Sequence, residues 1–251
     1  MRSSLFAQRR DIQPDFLTAR AFAHRGLHGA EGVPGSSENG MAAFDAAIAA
    51  GHGIECDVRA SRDGVAFVFH DARLTRMAGR DGEIAALDAA ILDGVTLPDG
   101  GAIPRLSALL SRCKGQVPLL VEIKTEGRQV ETLCEAVARD LDRWPGAPVA
   151  IMSFNPYAVR WFMRQRVGQV RGLVVTQQGK GRIWSVVERA LALWLSKPDF
   201  LACDIRDLPS RLSRRARSKG LPVLTWTVRS PAERACGVAH ADQIIFERPY
   251  D

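Results

Sequence analysis

Four short stretches of the sequence carry side chains whose types and spacing could do chemistry together. His24-Arg25-Gly26 closes one apolar run, Glu55 and Asp57 flank Cys56, His70 precedes Asp71, and Glu122 and Lys124 flank Ile123. Histidines with an ordinary pKa near 6.5 can take and give protons around neutrality, so His24 and His70 suit a general acid and a general base. Glu55, Asp57 and Glu122, if drawn together, would repel one another unless a cation shared them. Hard oxygen donors of this kind favour Mg²⁺ or Ca²⁺ over zinc. A cation so held can polarise a phosphate oxygen as a Lewis acid. Arg25 as a fork and Lys124 as a point charge could hold the remaining phosphate oxygens. Taken singly, each residue has a plainer use: a surface histidine, a Glu122–Lys124 ion pair, an Arg25–Asp57 orienting contact. Taken together, they point to a site.

Such a site needs elements that bring distant residues to one place. Short β-branched runs alternate with stretches of helical period. Strands are expected at Ala21–Arg25, Gly53–Asp57, Leu119–Lys124, Val149–Phe154, Val170–Val175, Phe200–Asp204, Val223–Thr227 and Gln243–Phe246. Helices are expected over Gly40–Ala50, Gln129–Leu141, Pro156–Arg166, Ile183–Leu195 and Pro209–Lys219, the first with Met41, Phe44 and Ile48 along one stripe. Eight strands joined by crossovers of helix length imply parallel pairing and a closed (β/α)8 barrel. Period two along a strand places Glu55 with Asp57, and Glu122 with Lys124, on one face, and turns Cys56 away as a packed apolar residue. Active sites of such barrels lie at the C-terminal strand ends, where these residues fall. A ninth run, Val65–His70, follows Asp57 too closely for a helical crossover and contains Asp63-Gly64 just before it, so residues 58–70 read as a hairpin above the rim. Residues 71–103 then form an insertion before a helix around Pro104–Cys113. The domain layout is an N-terminal extension, 1–20, and one barrel, 21–251, with 58–103 as the rim hairpin and inserted subdomain.

Composition narrows the remaining classes. The 251 residues, 46% apolar and 25% charged, suit one globular core. A net charge of +6 is compatible with nucleic acid, an anionic surface or a phosphorylated substrate. Arg206, Arg211, Arg214, Arg215, Arg217 and Lys219 cluster on or near one expected helix but lack interleaved aromatics for stacking, which favours a solvated outer helix over nucleic-acid binding. Five scattered cysteines without CxxC spacing argue against a disulfide framework or structural zinc and suit a reducing, cytoplasmic setting. Met1–Arg20 lacks an apolar core of signal-peptide length. The apolar stretch Ile183–Leu195 is interrupted by Glu188 and Arg189 and is too short for stable membrane insertion. Trp161, Trp184 and Trp194 lie in helical patterns, where burial against the barrel is the expected use. Oligomeric state is not readable.

The ordered motifs Ala23-His24-Arg25-Gly26, Ser37-Glu38-Asn39-Gly40 with Ala42-Ala43-Phe44, Ile54-Glu55-Cys56-Asp57-Val58, Asp63-Gly64, and Phe69-His70-Asp71 together resemble the glycerophosphodiester phosphodiesterase family. Val121-Glu122-Ile123-Lys124, Ser153-Phe154-Asn155-Pro156, Thr225-Trp226-Thr227-Val228 and Phe246-Glu247-Arg248-Pro249 continue the likeness almost to the C-terminus. Ser37, Gly40 and Phe246-Glu247 depart from residues common in that family. The resemblance implies a metal-bearing barrel, with a small insertion between its second and third barrel strands, that cleaves small-molecule glycerophosphodiesters to glycerol 3-phosphate and an alcohol. It further implies Glu55, Asp57 and Glu122 as metal ligands, with one Mg²⁺ or Ca²⁺ ion. His24 and His70 become the acid–base pair, and Arg25 and Lys124 phosphate contacts. Asn39 supports the metal or its water shell, and Phe154 and Trp226 serve as an apolar wall or as core. The nucleophile stays open between water and the neighbouring glycerol hydroxyl, as does a lysophospholipid substrate on the same barrel.

Overall fold

The computed structural model describes residues 15–29, 35–178 and 182–247, with the side chains of 182–185 set aside. Residues 1–14, part of the Gly-rich loop at 30–34, the Trp184 side chain and Arg248-Pro249 lie outside the described residues. Eight parallel strands close a barrel: β1 (Phe22–His24), β2 (Gly53–Ala60), β4 (Leu119–Ile123), β5 (Val149–Ser153), β6 (Val170–Val175), β7 (Phe200–Asp204), β8 (Val223–Val228) and β9 (Gln243–Phe246). Strand β1 pairs with both β2 and β9, which seals the ring. The extra strand β3 (Ala66–Val68) lies antiparallel on the end of β2, with Val58 opposite Val68 and Ala60 opposite Ala66. The barrel and hairpin expected from the alternation of runs are the ones observed.

Period two along the strands divides the apolar residues into two layers. Phe22, Leu120, Ala150, Met152, Val170, Val174, Phe200, Ala202, Leu224 and Ile245 fill the barrel interior. Their neighbours Ala23, Ile54, Cys56, Val58, Val121 and Ile151 face outward to the helices. Cys56 therefore has the packing role its position suggested. At Gly172 a β-carbon would come within 2.3 Å of the Phe200 ring, so glycine leaves the interior room for that ring. The bottom is covered by α1 (Phe16–Ala19), whose Leu17 is fully buried among the interior residues.

The outer layer contains α2 (Met41–Ala49), α5 (Leu106–Cys113), α6 (Glu131–Leu141), α7 (Pro156–Gln165), α8 (Arg182–Ser196), α9 (Arg211–Ser218) and α10 (Pro231–His240). Each packs an apolar stripe on the strands; full burial of Phe44 from α2 contributes roughly 1.5–3 kcal/mol. Helix α10 was not anticipated, because its residues are mostly small. Its start is nevertheless marked by Pro231 and by Ser230, which accepts a hydrogen bond from the Glu233 backbone N–H at 3.2 Å. Trp194 departs from the expected burial and is 54% exposed, since α8 spends its inner face on residues such as Leu193. Between β3 and α5, the insertion carries α3 (Thr75–Ala78) and α4 (Ala89–Leu92) around a separate small core of Phe67, Phe69, Leu74, Ile84, Leu92 and Ile103. No described helix is long and apolar enough to cross a membrane.

Candidate active site

At the C-terminal mouth the apolar interior of the barrel gives way to polar and aromatic residues. Apolar Phe22 gives way to His24, Leu120 to Glu122 and then Lys124, Met152 to Phe154, Ala202 to Asp204, and Ile245 to Glu247. Strand β2 presents Glu55 and Asp57 on the same side. Arg25 would point outward if β1 continued through it. Instead β1 ends at His24, and Arg25 takes a left-handed conformation, φ 58°, that swings its side chain back over the mouth. Gly26, φ 80°, completes this turn, where a β-carbon would meet the Ala43 backbone at 2.8 Å.

Glu55, Asp57 and Glu122 are buried, and one oxygen of each lies within 4.8 Å of the others. Glu55 Oε1 receives no hydrogen bond, while Asp57 Oδ1 and Glu122 Oε1 face only the Lys124 ammonium, at 3.0 and 2.6 Å. Orphaned buried carboxylate oxygens are costly and call for a cation. Three convergent hard donors fit one divalent ion. Asn39, also left-handed at φ 58°, donates from Nδ2 to Asp57 Oδ2 at 3.0 Å and accepts from the Asp57 backbone N–H at 3.2 Å. The Arg25 Nε lies 3.1 Å from Asp57 Oδ2, and the Arg25 backbone N–H donates to Glu55 Oε2.

His24 and His70 stand on different walls of the mouth, each with an acid on Nδ1. His24 Nδ1 lies 3.0 Å from Glu247 Oε1, and its Nε2 is 3.8 Å from Glu55 Oε2. His70 Nδ1 lies 2.7 Å from Asp71 Oδ1, and Arg59 Nε donates to the His70 carbonyl at 2.7 Å. A cavity of about 360 Å³ opens between them. Phe154, 43% exposed, and Trp226 form an edge-on aromatic corner in it, ring centroids 5.4 Å apart. The Trp226 indole N–H donates to the Ala202 carbonyl, fixing the ring. Both aromatics thus face the cavity.

Electrostatics separate the titratable groups. Burial, then the like charges of Asp57 and Glu122, push Glu55 well above the usual carboxylate range. Glu122 is likewise pushed up by burial against the opposing pull of Lys124. Burial would raise Asp57 too, but Lys124 and Arg25 hold it well below its ordinary value. Proton affinity is thus higher on Glu55 and Glu122 than on Asp57, so a cation bound there would compete with protons. Burial lowers both His24 and His70, against partial compensation from Glu247 and Asp57 respectively.

Comparison with known proteins agrees with this geometry. The family model described as "Glycerophosphoryl diester phosphodiesterase family" matches residues 24–249. The chain belongs to the glycerophosphoryl diester phosphodiesterase family. Among curated relatives, it is 41% identical over 92 residues to the Mycobacterium tuberculosis "Probable glycerophosphodiester phosphodiesterase 2", covering 36% of this chain and 33% of that protein. It is 35% identical over 117 residues to the Bacillus subtilis "Putative glycerophosphodiester phosphodiesterase YhdW", covering 43% of this chain and 46% of that protein. The matches therefore span about a third to just under half of those relatives' lengths. Among solved structures, an Oleispira antarctica phosphodiesterase in complex with the product sn-glycerol-3-phosphate superposes with TM-score 0.80 at 22% identity, covering 94% of this chain and 96% of that one. A Thermotoga maritima glycerophosphodiester phosphodiesterase gives TM-score 0.72 at 25% identity, over 90% and 93%. These last two carry the family barrel.

The sequence-derived residues His24, Arg25, Asn39, Glu55, Asp57, His70, Glu122, Lys124, Phe154 and Trp226 all converge on this mouth. Sequence reasoning passed over the groups that orient them. Glu247 was noted only as a departure from the family pattern, and Glu38 and Asp71 only as motif letters. Asp204, Arg206 and Arg229 also line the cavity. Period two from the interior residues Ala202 and Ile245 would have put Asp204 and Glu247 on the inward face.

Proposed function

We propose that this protein is a metal-dependent phosphodiesterase that hydrolyses glycerophosphodiesters to glycerol 3-phosphate and an alcohol. One observation carries the reading: three buried carboxylates, Glu55 Oε1 without a partner and Asp57 Oδ1 and Glu122 Oε1 sharing one ammonium, meet at the barrel mouth beside two cations and two acid-paired histidines. Glu55, Asp57 and Glu122 would hold one Mg²⁺ or Ca²⁺ ion, with Asn39 orienting Asp57. The bound ion would supply Lewis-acid polarisation of a phosphate oxygen. With all five groups ionised, the carboxylates, Arg25 and Lys124 carry one net negative charge. A divalent ion makes that one net positive charge, which matches the single negative charge of a phosphodiester.

Arg25 and Lys124 hold the non-bridging phosphate oxygens, and Phe154 and Trp226 face the carbons of the glycerol. One histidine, neutral at the start, removes a proton from the attacking oxygen as that oxygen bonds to phosphorus. The other, protonated, gives its proton to the departing alkoxide as its bond to phosphorus breaks. The nucleophile is water or the neighbouring glycerol hydroxyl; the second route gains from proximity and passes through a cyclic phosphate. Glu247 and Asp71 each hold one imidazole by Nδ1, which leaves Nε2 for the proton transfer.

Five unpaired cysteines, four of them buried, support a cytoplasmic setting. Arg206 lines the mouth instead, paired with Asp204, and Arg217 pairs with Asp242, which supports a solvated outer helix over a nucleic-acid interface. The test is turnover of glycerophosphocholine and glycerophosphoethanolamine, beside a lysophospholipid, in EDTA and after Mg²⁺ or Ca²⁺ is restored. Metal-restored release of glycerol 3-phosphate is expected, and His24→Ala and His70→Ala should each lose about 10²–10⁴-fold in rate. Cleavage of the lysophospholipid alone would replace the substrate, and no turnover with any ion would end the proposal.

A further inference from the structure

The inserted segment reaches back to the mouth through one side chain. Arg76, on α3, places Nε 2.5 Å from Asp71 Oδ2, Nη2 2.5 Å from Glu38 Oε1 and Nη1 3.1 Å from Glu38 Oε2. Each of those acids already holds a residue of the site. Asp71 uses its other oxygen, Oδ1, on His70 Nδ1, and Glu38 Oε1 also accepts from Arg25 Nη1 at 2.9 Å. A single guanidinium therefore joins the wall that follows β1 to the wall that follows β3. The fork geometry is what allows this, because its donors face two carboxylates at once.

We infer that Arg76 is a positioning residue for the reaction, fixing Asp71 and through it the His70 ring, and fixing Glu38 and through it the Arg25 side chain. The inference rests on the proposed phosphodiesterase reading for the roles of His70 and Arg25. Without Arg76, Asp71 keeps, among the described residues, only its bond to His70, so the pair can turn together and the ring loses its fixed orientation. Glu38 is then free to turn both oxygens on Arg25 and draw that guanidinium away from a bound phosphate. The Arg76 side chain is 48% exposed, so its ion pairs add little to stability by themselves. The expected effect thus falls on kinetics.

The test compares Arg76→Met, Arg76→Lys, Asp71→Asn and Glu38→Gln in glycerophosphocholine hydrolysis. Arg73→Met serves as control, since among the described residues the Arg73 side chain pairs only with Glu83 in the same insertion and lies outside the site. Asp71→Asn should lower kcat, Glu38→Gln should raise KM, and Arg76→Met should do both, on the order of tenfold each as for other groups that orient a ligand. Arg76→Lys, which can meet one acid at a time, should restore at most one of the two. Adding Arg76→Met to the Asp71→Asn, Glu38→Gln pair should change neither constant further. An Arg76→Met enzyme within twofold of wild type overturns the inference, as does an undiminished effect in the doubly substituted background. If Arg76→Met does not fold, Arg76→Gln takes its place. Nitrogen-15 NMR of the His70 ring, its signal assigned by loss in His70→Gln, gives a readout that needs no turnover. Arg76→Met should shift those ring nitrogens and Arg73→Met should not. If the wild-type protein cleaves nothing, the phosphodiesterase reading falls, while an unshifted His70 signal would separately refute the role of Arg76.

Discussion

Asn39→Ala tests whether the carboxylate cluster is held by the geometry described. The side chain is 2% exposed and makes two hydrogen bonds to the same residue, one to the Asp57 carboxylate and one from its backbone N–H. Loss of a bond to a charged acceptor costs about 1.5–3 kcal/mol, and a buried N–H left without a partner about 1–3 kcal/mol. Alanine at φ 58° adds about 1 kcal/mol of backbone strain that asparagine tolerates better. The sum is roughly 5 kcal/mol, which for a chain of this size lowers Tm by roughly 10–20 °C. Asp57 would also be freer to turn, so affinity for Mg²⁺ or Ca²⁺ should fall about 10–100-fold. Urea unfolding and calorimetric titration of the metal measure the two effects. Asn39→Gly separates the causes, because glycine accepts the left-handed backbone yet makes neither hydrogen bond. A glycine variant with wild-type stability and metal affinity would refute the reasoning, since conformation alone would then explain the asparagine.

Three further outcomes follow from the charges at the mouth. Metal at a hundred times its Kd should stabilise the folded protein by about 2.7 kcal/mol, a thermal shift that Glu55→Gln should abolish and that scanning calorimetry would record. Because burial lowers both His24 and His70, the acid limb of kcat/KM should lie below the ordinary histidine pKa of about 6.5. The Glu247 bond raises His24, so Glu247→Gln should move a His24-governed limb further to acid, and a limb that moves to alkali would contradict the pairing. Glu247 itself is held far below its ordinary range, despite burial, by His24 and Arg229. Its stabilising contribution is therefore complete above the unfolded carboxylate pKa of about 4.3 and lost as pH falls through the depressed folded value, so the wild type should lose acid stability that Glu247→Gln does not.

Much of this protein is legible in one dimension because the barrel obeys short periods. The alternation of β-branched runs with helical stretches implies eight parallel strands, and the too-short step from Asp57 to Val65 implies the hairpin. Period two on β2 and β4 puts Glu55, Asp57 and Glu122 on one face before any coordinates are known. Helix α10 escaped because small residues such as Ala235, Gly237 and Ala239 leave little hydrophobic period to read; at Gly237 a β-carbon would sit 2.8 Å from Ile244, so closeness to the sheet itself selects against bulk. Tertiary structure alone decided the rest. The left-handed turn at Arg25 redirects a side chain that strand geometry would have sent elsewhere, and the left-handed Asn39 aims its amide at Asp57; both are held by contacts with Glu55 and Asp57 that lie far along the chain. The partners Glu38, Arg76 and Glu247 join the site through separations as long as that from His24 to Glu247, which no local pattern encodes. Sequence periodicity names the residues that face the mouth, and only closure of the ring, β1 against β9, brings Glu247 to His24.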